Sequence, residues 1–209
     1  MKNAEETRAR LMTTAISAIW QSNYCGVGVN EICQQAGVTK GAFYHHFNSK
    51  AELYLAATRH YWQETRQELE EVAASSLTAM EHLDNYLQYL LDKQSTLSKE
   101  NDEEIAGCPY FTSGGQAGPN EPLVKQAAIE IFEHGLEYTS AMILALKKSG
   151  ALEGDPDVDQ LSRMLQHYIQ GLLIYGKIQN SLQVIQNDLK DGAYRIVGLK
   201  KELRNLNDI

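Results

Sequence analysis

The chain is poor in cysteine, in proline and in long apolar runs, and each shortage removes a class of answer. Three cysteines in 209 residues make an odd count without paired spacing, which argues against a disulfide framework. No apolar run approaches the roughly 18 residues that a membrane span needs, so no span is expected. The opening M-K-N-A-E-E-T-R-A-R is polar, and no apolar segment follows it, so no secretory signal is expected and a reducing cytoplasm is the expected compartment. Four prolines and no sustained alternation of polar and apolar residues leave helix as the dominant structure. Catalytic signatures are missing as well: there is no G-x-S-x-G, no phosphate-cradling G-x-x-x-x-G-K-[ST], no H-E-x-x-H, and no convergent acid–base pair on one helix face. Neither an enzyme nor a cofactor is expected, and the chain carries no internal repeat or low-complexity segment.

Positive charge is also scarce, with a formal net charge of −8, which argues against binding nucleic acid over the whole surface. The average conceals an asymmetry. Residues 1–60 hold six Lys or Arg and four Asp or Glu, a net +2, whereas residues 61–209 carry −10. An acidic body is repelled by phosphate, so any docking on nucleic acid would go through the N-terminal end. Glu100 to Glu104 forms a charge cluster that reads as a solvated helix end or loop.

What is present is helical periodicity. Leu11, Met12, Ala15, Ile16, Ile19 and Trp20 recur at helical spacing over residues 4–22, with Asn23 as a left-handed stop. Val29, Ile32, Cys33 and Ala36 give a short second helix over 29–36, capped by Gly28 and ended by Gly37. Thr39 caps a third over 40–46. Ser49-Lys50-Ala51-Glu52 is a capping box that opens a fourth helix running to about Val72. Further helices are predicted over 78–98, 122–148, 157–180 and 181–204. Residues 105–122 form a Gly/Pro-rich loop that can open on a short helix, and 149–156 form a turn.

The stretch V-T-K-G-A-F-Y-H-H-F at 38–47 has the pattern of the second helix of a helix-turn-helix. Two helices that cross closely need a small residue at the crossing, here Cys33, and a turn residue tolerant of positive φ, here Gly37. Phe43 and Phe47 would anchor the third helix, leaving Lys40, Gly41, Tyr44 and His45 outward. The N-terminal residues of such a helix meet base edges in the major groove, and its amino end favours phosphate. Lys40 suits a phosphate or a guanine edge, Tyr44 and His45 suit phosphate or a thymine methyl, and Lys50 is placed for another phosphate. An aromatic run of this kind can also be plain packing, and His46 reads as packed or solvated. Adjacent histidines on a helix point about 100° apart, so His45 and His46 do not make a metal site.

At T-R-A-R-L and E-I-C-Q-Q-A-G-V-T-K-G-A-F-Y-H-H-F-N-S-K-A-E-L the chain resembles the tetracycline-repressor (TetR/AcrR) family of bacterial regulators. The likeness is dense over residues 5–60 and rests on size and helical layout beyond them. It implies an all-α fold: a helix-turn-helix DNA-binding domain over 1–48, and a larger helical bundle for ligand binding and dimerisation over 49–209. It implies a homodimer on a double-stranded operator, controlled by a small-molecule inducer and usually repressing. The DNA-contact candidates are Asn30, Thr39, Lys40, Gly41, Tyr44, His45 and Lys50. The chain departs from the family in having Gly28 where a Ser or Thr commonly meets phosphate, so that contact falls to backbone N–H or moves to Asn30.

The 157–180 helix is apolar on nearly all faces, which predicts that part of it lies in a subunit interface, with 122–148 completing a four-helix arrangement. Two-fold pairing would set the recognition helices about 34–36 Å apart, on successive major grooves of a palindrome. Aromatic residues of the body, Trp62, Tyr86, Tyr110, Phe132 and Tyr168 among them, are candidates to line an inducer cavity beside the fourth helix. A-G-C at 106–108 and Q-G-L-L-I-Y-G-K-I at 170–178 resemble members of the family that sense electrophiles or oxidants through a cysteine. Cys108 is then the sensor candidate and Lys177 its partner; the plain alternative is a small buried Cys and a Lys reaching for solvent. Cys25 and Cys33 read as structural. Outside this class, the chain could be a helical protein-interaction module that binds no DNA; within it, a regulator of a non-reactive hydrophobic ligand with no role for Cys108.

Overall fold

The computed structural model describes residues 2–72, 77–100 and 102–204. Among these residues the chain is all-α, with an N-terminal helix-turn-helix and a larger helical remainder. The helices are α1 (Lys2–Gln21), α2 (Val29–Gln35), α3 (Lys40–His46), α4 (Lys50–Val72), α5 (Ala79–Glu100), α6 (Pro109–Gln116), α7 (Pro122–Lys148), α8 (Val158–Gln179) and α9 (Leu182–Ile196), followed by a 3₁₀ turn at Lys201–Leu203. No described helix is long and apolar enough to cross a membrane. The chain folds as two compact units, one drawn from Met1–Arg66 and Pro109–Ile131, the other from Gln67–Cys108 and Phe132–Ile209.

In the first unit α1 packs on α2 and α2 on α3. Leu11, Ile19, Ile32, Phe43, Phe47, Leu53 and Tyr54 are buried together, each large side chain contributing roughly 1.5–3 kcal/mol of transfer free energy. The turn between α2 and α3 is a Schellman stop: Gly37 sits at φ +63, Gly37 N–H donates to Gln34 O at 3.2 Å, and Val38 N–H to Cys33 O at 2.9 Å. Thr39 Oγ1 then accepts Ala42 N–H at 3.1 Å and starts α3. The box at the start of α4 is displaced by one residue. Ser49 Oγ accepts Glu52 N–H, but the Glu52 carboxylate reaches past Ser49 to the backbone and side-chain N–H of Asn48. Asn23 is not the left-handed stop expected of it. Among the described residues the positive-φ non-glycine positions are Asp102, Glu103 and Asn180, and Asn23 instead closes its loop through Oδ1, which accepts Gly26 N–H at 2.8 Å. Further along, Trp20 meets Tyr61 and Tyr110 edge-on at 4.8 and 5.9 Å, and Arg59 forks onto Glu130 at 2.8 and 2.7 Å.

In the second unit α9 packs against α8 and α5. Two glycines permit this. A Cβ at Gly176 would stand 2.6 Å from Ile185, and one at Gly192 would overlap the Tyr168 hydroxyl. Thr78 and Glu81 form a full capping box on α5. Asp157 caps α8, which ends at Asn180 with φ +45. The last helix stops at Ile196 and does not run to 204, because Gly198 adopts φ +69 and Leu199 turns back to bridge Leu152. The cluster from Glu100 to Glu104 is a helix end, with Glu103 N–H donating to Ser98 O; Asn101 within it lies outside the described residues. Within this unit α8 buries one face, through Leu165, Ile169, Leu172 and Leu173, and leaves Met164, Tyr175 and Ile178 exposed on another.

Candidate functional site

The α3 helix presents two faces of opposite character. Phe43 is fully buried and Phe47, its C-cap, is 2% exposed, whereas Tyr44 is 56% exposed. Thr39, Lys40, Gly41 and His45 are exposed beside Tyr44, and Asn30 is exposed on α2. The Tyr44 ring rests edge-on against Phe43 at 5.1 Å, so its outward direction is supported from below. Arg8 lies over the far side of the Phe47 ring at 5.1 Å. Gly41 has no neighbour that demands glycine; a Cβ there would meet only Thr39 Oγ1, at 3.8 Å. Packing within the fold therefore does not call for glycine at this position.

Lys50 is turned inward. Its Nζ donates to Tyr24 O at 2.8 Å and Val27 O at 2.9 Å, and lies 4.0 Å over the Tyr24 ring. Burial pulls its pKa down, and the Glu121 carboxylate opposes that pull. Two of the three ammonium N–H groups thus hold the loop before α2.

The effector candidates do not converge on one place. Cys108 is buried, as are Ile105 and Ala106 before it, and side chains pin the backbone of this segment. Ile105 N–H donates to Asn180 Oδ1 at 2.9 Å; Gln94 accepts Gly107 N–H at 2.9 Å and donates to Gly107 O at 3.0 Å. Gly107 has φ +66 and lies so close to α8 that a Cβ would stand 3.1 Å from Lys177 Cβ and 3.2 Å from Leu173 O. Lys177 is half-buried, and desolvation lowers its pKa against the opposing charges of Glu104 and Cys108. The structure therefore brings Cys108 and Lys177 into electrostatic range across 69 residues of sequence.

Tyr86 and Phe132 belong to a different part of the same unit. Tyr86 is buried, its hydroxyl accepts from Gln166 Nε2 at 3.4 Å, and burial raises its pKa to about 12. Phe132 stacks on His167 at 5.4 Å. Tyr168 donates to Asp188 O at 2.5 Å and is a packing residue between α8 and α9. Trp62 and Tyr110 belong to the first unit. The second unit holds an open cavity of about 460 Å³ between α4 and α5, lined by Glu68, Glu71, Leu77, Tyr89, Asp92 and Lys93 among others. None of the five aromatic candidates lines it, and most of its lining residues carry polar or charged groups. Gln94 escapes a reading of the sequence, although a polar residue at a core position of α5, in register with Leu83 and Leu87, is a readable signal.

With this geometry in place, comparison with known proteins is decisive for the first unit. Residues 11–57 match the profile of bacterial regulatory proteins of the tetR family. Residues 11–57 thus carry a tetR-family DNA-binding domain, and over most of its length the chain is similar to transcriptional regulators. Over its length it is 22% identical to the HTH-type transcriptional regulator CymR of Pseudomonas putida, across 83% of this chain and 80% of that one. Over 55 residues, 26% of each chain, it is 42% identical to the HTH-type transcriptional regulator TtgR, also of Pseudomonas putida. In fold it is similar to the reduced form of NemR from E. coli, with a TM-score of 0.80 at 21% identity over 94% of this chain and 99% of that one. The family match itself spans α2 and α3, the two helices of the helix-turn-helix.

Proposed function

We propose that this regulator is a homodimeric repressor. In this reading a helix-turn-helix head (residues 1–48) reads a palindromic operator, and a regulatory and dimerisation body (49–209) releases it when an inducer binds or when Cys108 is modified. The observation that carries the reading is the outward face of α3, where Lys40, Gly41, Tyr44 and His45 stand exposed over a buried Phe43 and Phe47. Lys40 and Tyr44 supply a cation and a donor, and the bare backbone at Gly41 allows close approach. Asn30 and Thr39 add donors at the two helix starts, and Lys50 keeps one N–H for phosphate. The exposed α8 residues Met164, Tyr175 and Ile178 support a second copy as the covering surface. Absence of any catalytic constellation in the sequence supports a non-enzymatic role, and the compartment that fits is the cytoplasm.

Selection from random duplex DNA with the full chain tests this. A two-fold-symmetric site should be enriched; a final pool no different from the starting pool would overturn the reading. Gly41→Ala gives a sharper check. Replacing this first-turn Gly with Ala should stabilise the fold, by at most the roughly 0.5–1 kcal/mol of a helix-interior site, while weakening operator binding. Thermal denaturation and a binding titration on the same sample report the two halves. Tighter binding alongside higher stability would count against α3 as the groove-facing helix.

For release, Cys108 with Lys177 in range is the reading the buried 105–108 run supports. A thiolate adds to a maleimide or is oxidised by hypochlorite, and a neighbouring ammonium favours both the thiolate and its oxidised forms. Cys108→Ser should retain DNA binding and no longer let go when treated with N-ethylmaleimide or hypochlorite. Release that persists unchanged would remove Cys108 as the sensor and point to another thiol, such as the exposed Cys25.

A further inference from the structure

Tyr24 sits in the loop between α1 and α2, is 2% exposed, and is held from three directions. Its ring lies 5.3 Å from the Tyr54 ring of α4. The Lys50 ammonium sits over the Tyr24 ring and donates to the carbonyls of Tyr24 and Val27. Its hydroxyl donates to Glu121 Oε2 at 3.0 Å, across 97 residues of sequence. Glu121 is itself placed by a turn, with its N–H donating to Gly118 O and its carbonyl accepting from Val124 and Lys125 at the start of α7. All these residues belong to the first unit. A cation, a phenol and a carboxylate thus form one connected, partly buried, charge-balanced set. Its single backbone target is the loop that delivers α2 and α3.

We propose that Glu121, through Tyr24 and Lys50, is a positioning residue for DNA reading, which latches the 23–28 loop so that α2 and α3 meet the operator in register. The inference rests on the helix-turn-helix reading above and adds a residue far outside the motif to it. The physical ground is the difference between the two kinds of binding. Attraction to phosphate needs only charge and tolerates a loose head, whereas base contacts need side chains held in place. A loop freed at Tyr24 therefore loses selective affinity and keeps non-selective affinity. Glu121 touches no DNA in this proposal; it acts through the loop.

The test uses the full chain, the duplex enriched by the wild type, and an unrelated duplex of equal length. Tyr24→Phe keeps the ring and removes only the hydroxyl. Tyr24→Phe and Glu121→Ala should each lower affinity for the enriched duplex about tenfold, the scale of one buried hydrogen bond to a charged group, and leave the unrelated duplex unchanged. The double variant should be no worse than either single one, because both break the same contact. Glu121→Gln, which still accepts a hydrogen bond, should recover most of the loss. Amide hydrogen exchange at residues 23–36 should speed up in Tyr24→Phe, a readout that needs no DNA. Equal loss on both duplexes, additive effects, or unchanged affinity and exchange in Tyr24→Phe would each overturn the latch. If the wild type enriches no duplex, the DNA reading fails separately, and the exchange rates alone decide whether the loop is latched.

Discussion

Replacing Lys40 and Tyr44 together by Ala is expected to weaken binding to the selected duplex by about a thousandfold, with the fold intact. The magnitude follows from counting contacts in a two-fold complex. Two side chains in each of two half-sites are lost, and roughly 1 kcal/mol for each gives about 4 kcal/mol. The fold should survive because both side chains are exposed, Thr39 keeps its cap, and Tyr44 gives up only its edge contact with Phe43. Lys40→Ala alone should also flatten the salt dependence, by about one unit of slope for each phosphate contact removed. Anisotropy titrations at several salt concentrations, with circular dichroism and sedimentation on the same preparations, separate these effects. DNA retention that neither substitution changes would move the DNA surface away from α3.

The second large effect is on stability, at a place where nothing touches DNA. Gly114 of α6 faces Ala128 of α7 so closely that a Cβ would stand 2.4 Å from the Ala128 Cβ. Carbon atoms pack at about 3.5–4.0 Å, and neither atom belongs to a side chain that can swing aside. The two helices must separate to admit a methyl group, and overpacking of this kind costs about 1–3 kcal/mol. For a chain of this size Gly114→Ala should then lower Tm by about 2–12 °C. Ala128→Gly added to it should restore most of the loss, since one methyl group leaves as the other arrives and the helix propensities exchange. Calorimetry on the two singles and the double closes the cycle. An unchanged Tm in Gly114→Ala would mean that α6 and α7 give way at no cost.

The parts of the molecule that were legible in the sequence share a physical property: their causes are local. Gly37, Thr39, Phe43 and Phe47 lie within eleven residues of one another, and a Schellman stop, a cap and a helical face are all written at that range. Where local signals erred, a nearby competitor won. Asn23 uses its side chain on Gly26 in place of a left-handed backbone. The Glu52 carboxylate passes Ser49 for Asn48. The final helix yields at Gly198 because Leu199 has a partner at Leu152, 47 residues earlier. Tyr168 had the look of a cavity aromatic, but Gly192 opens a place for it against α9.

By itself, the sequence determined most of the helices and the helix-turn-helix with its likeness to the tetR family, because periodicity, caps and a dense motif depend on residues within a few turns of each other. Only the tertiary structure decided what the charged and polar side chains are used for. It turned Lys50 inward onto the 23–28 loop, brought Glu121 to Tyr24 and Lys177 within range of Cys108, and clamped Gly107 with Gln94. A partly buried charge takes whichever opposite charge, carbonyl or hydroxyl the fold places within about 3–4 Å, and that choice is not encoded in the neighbouring residues.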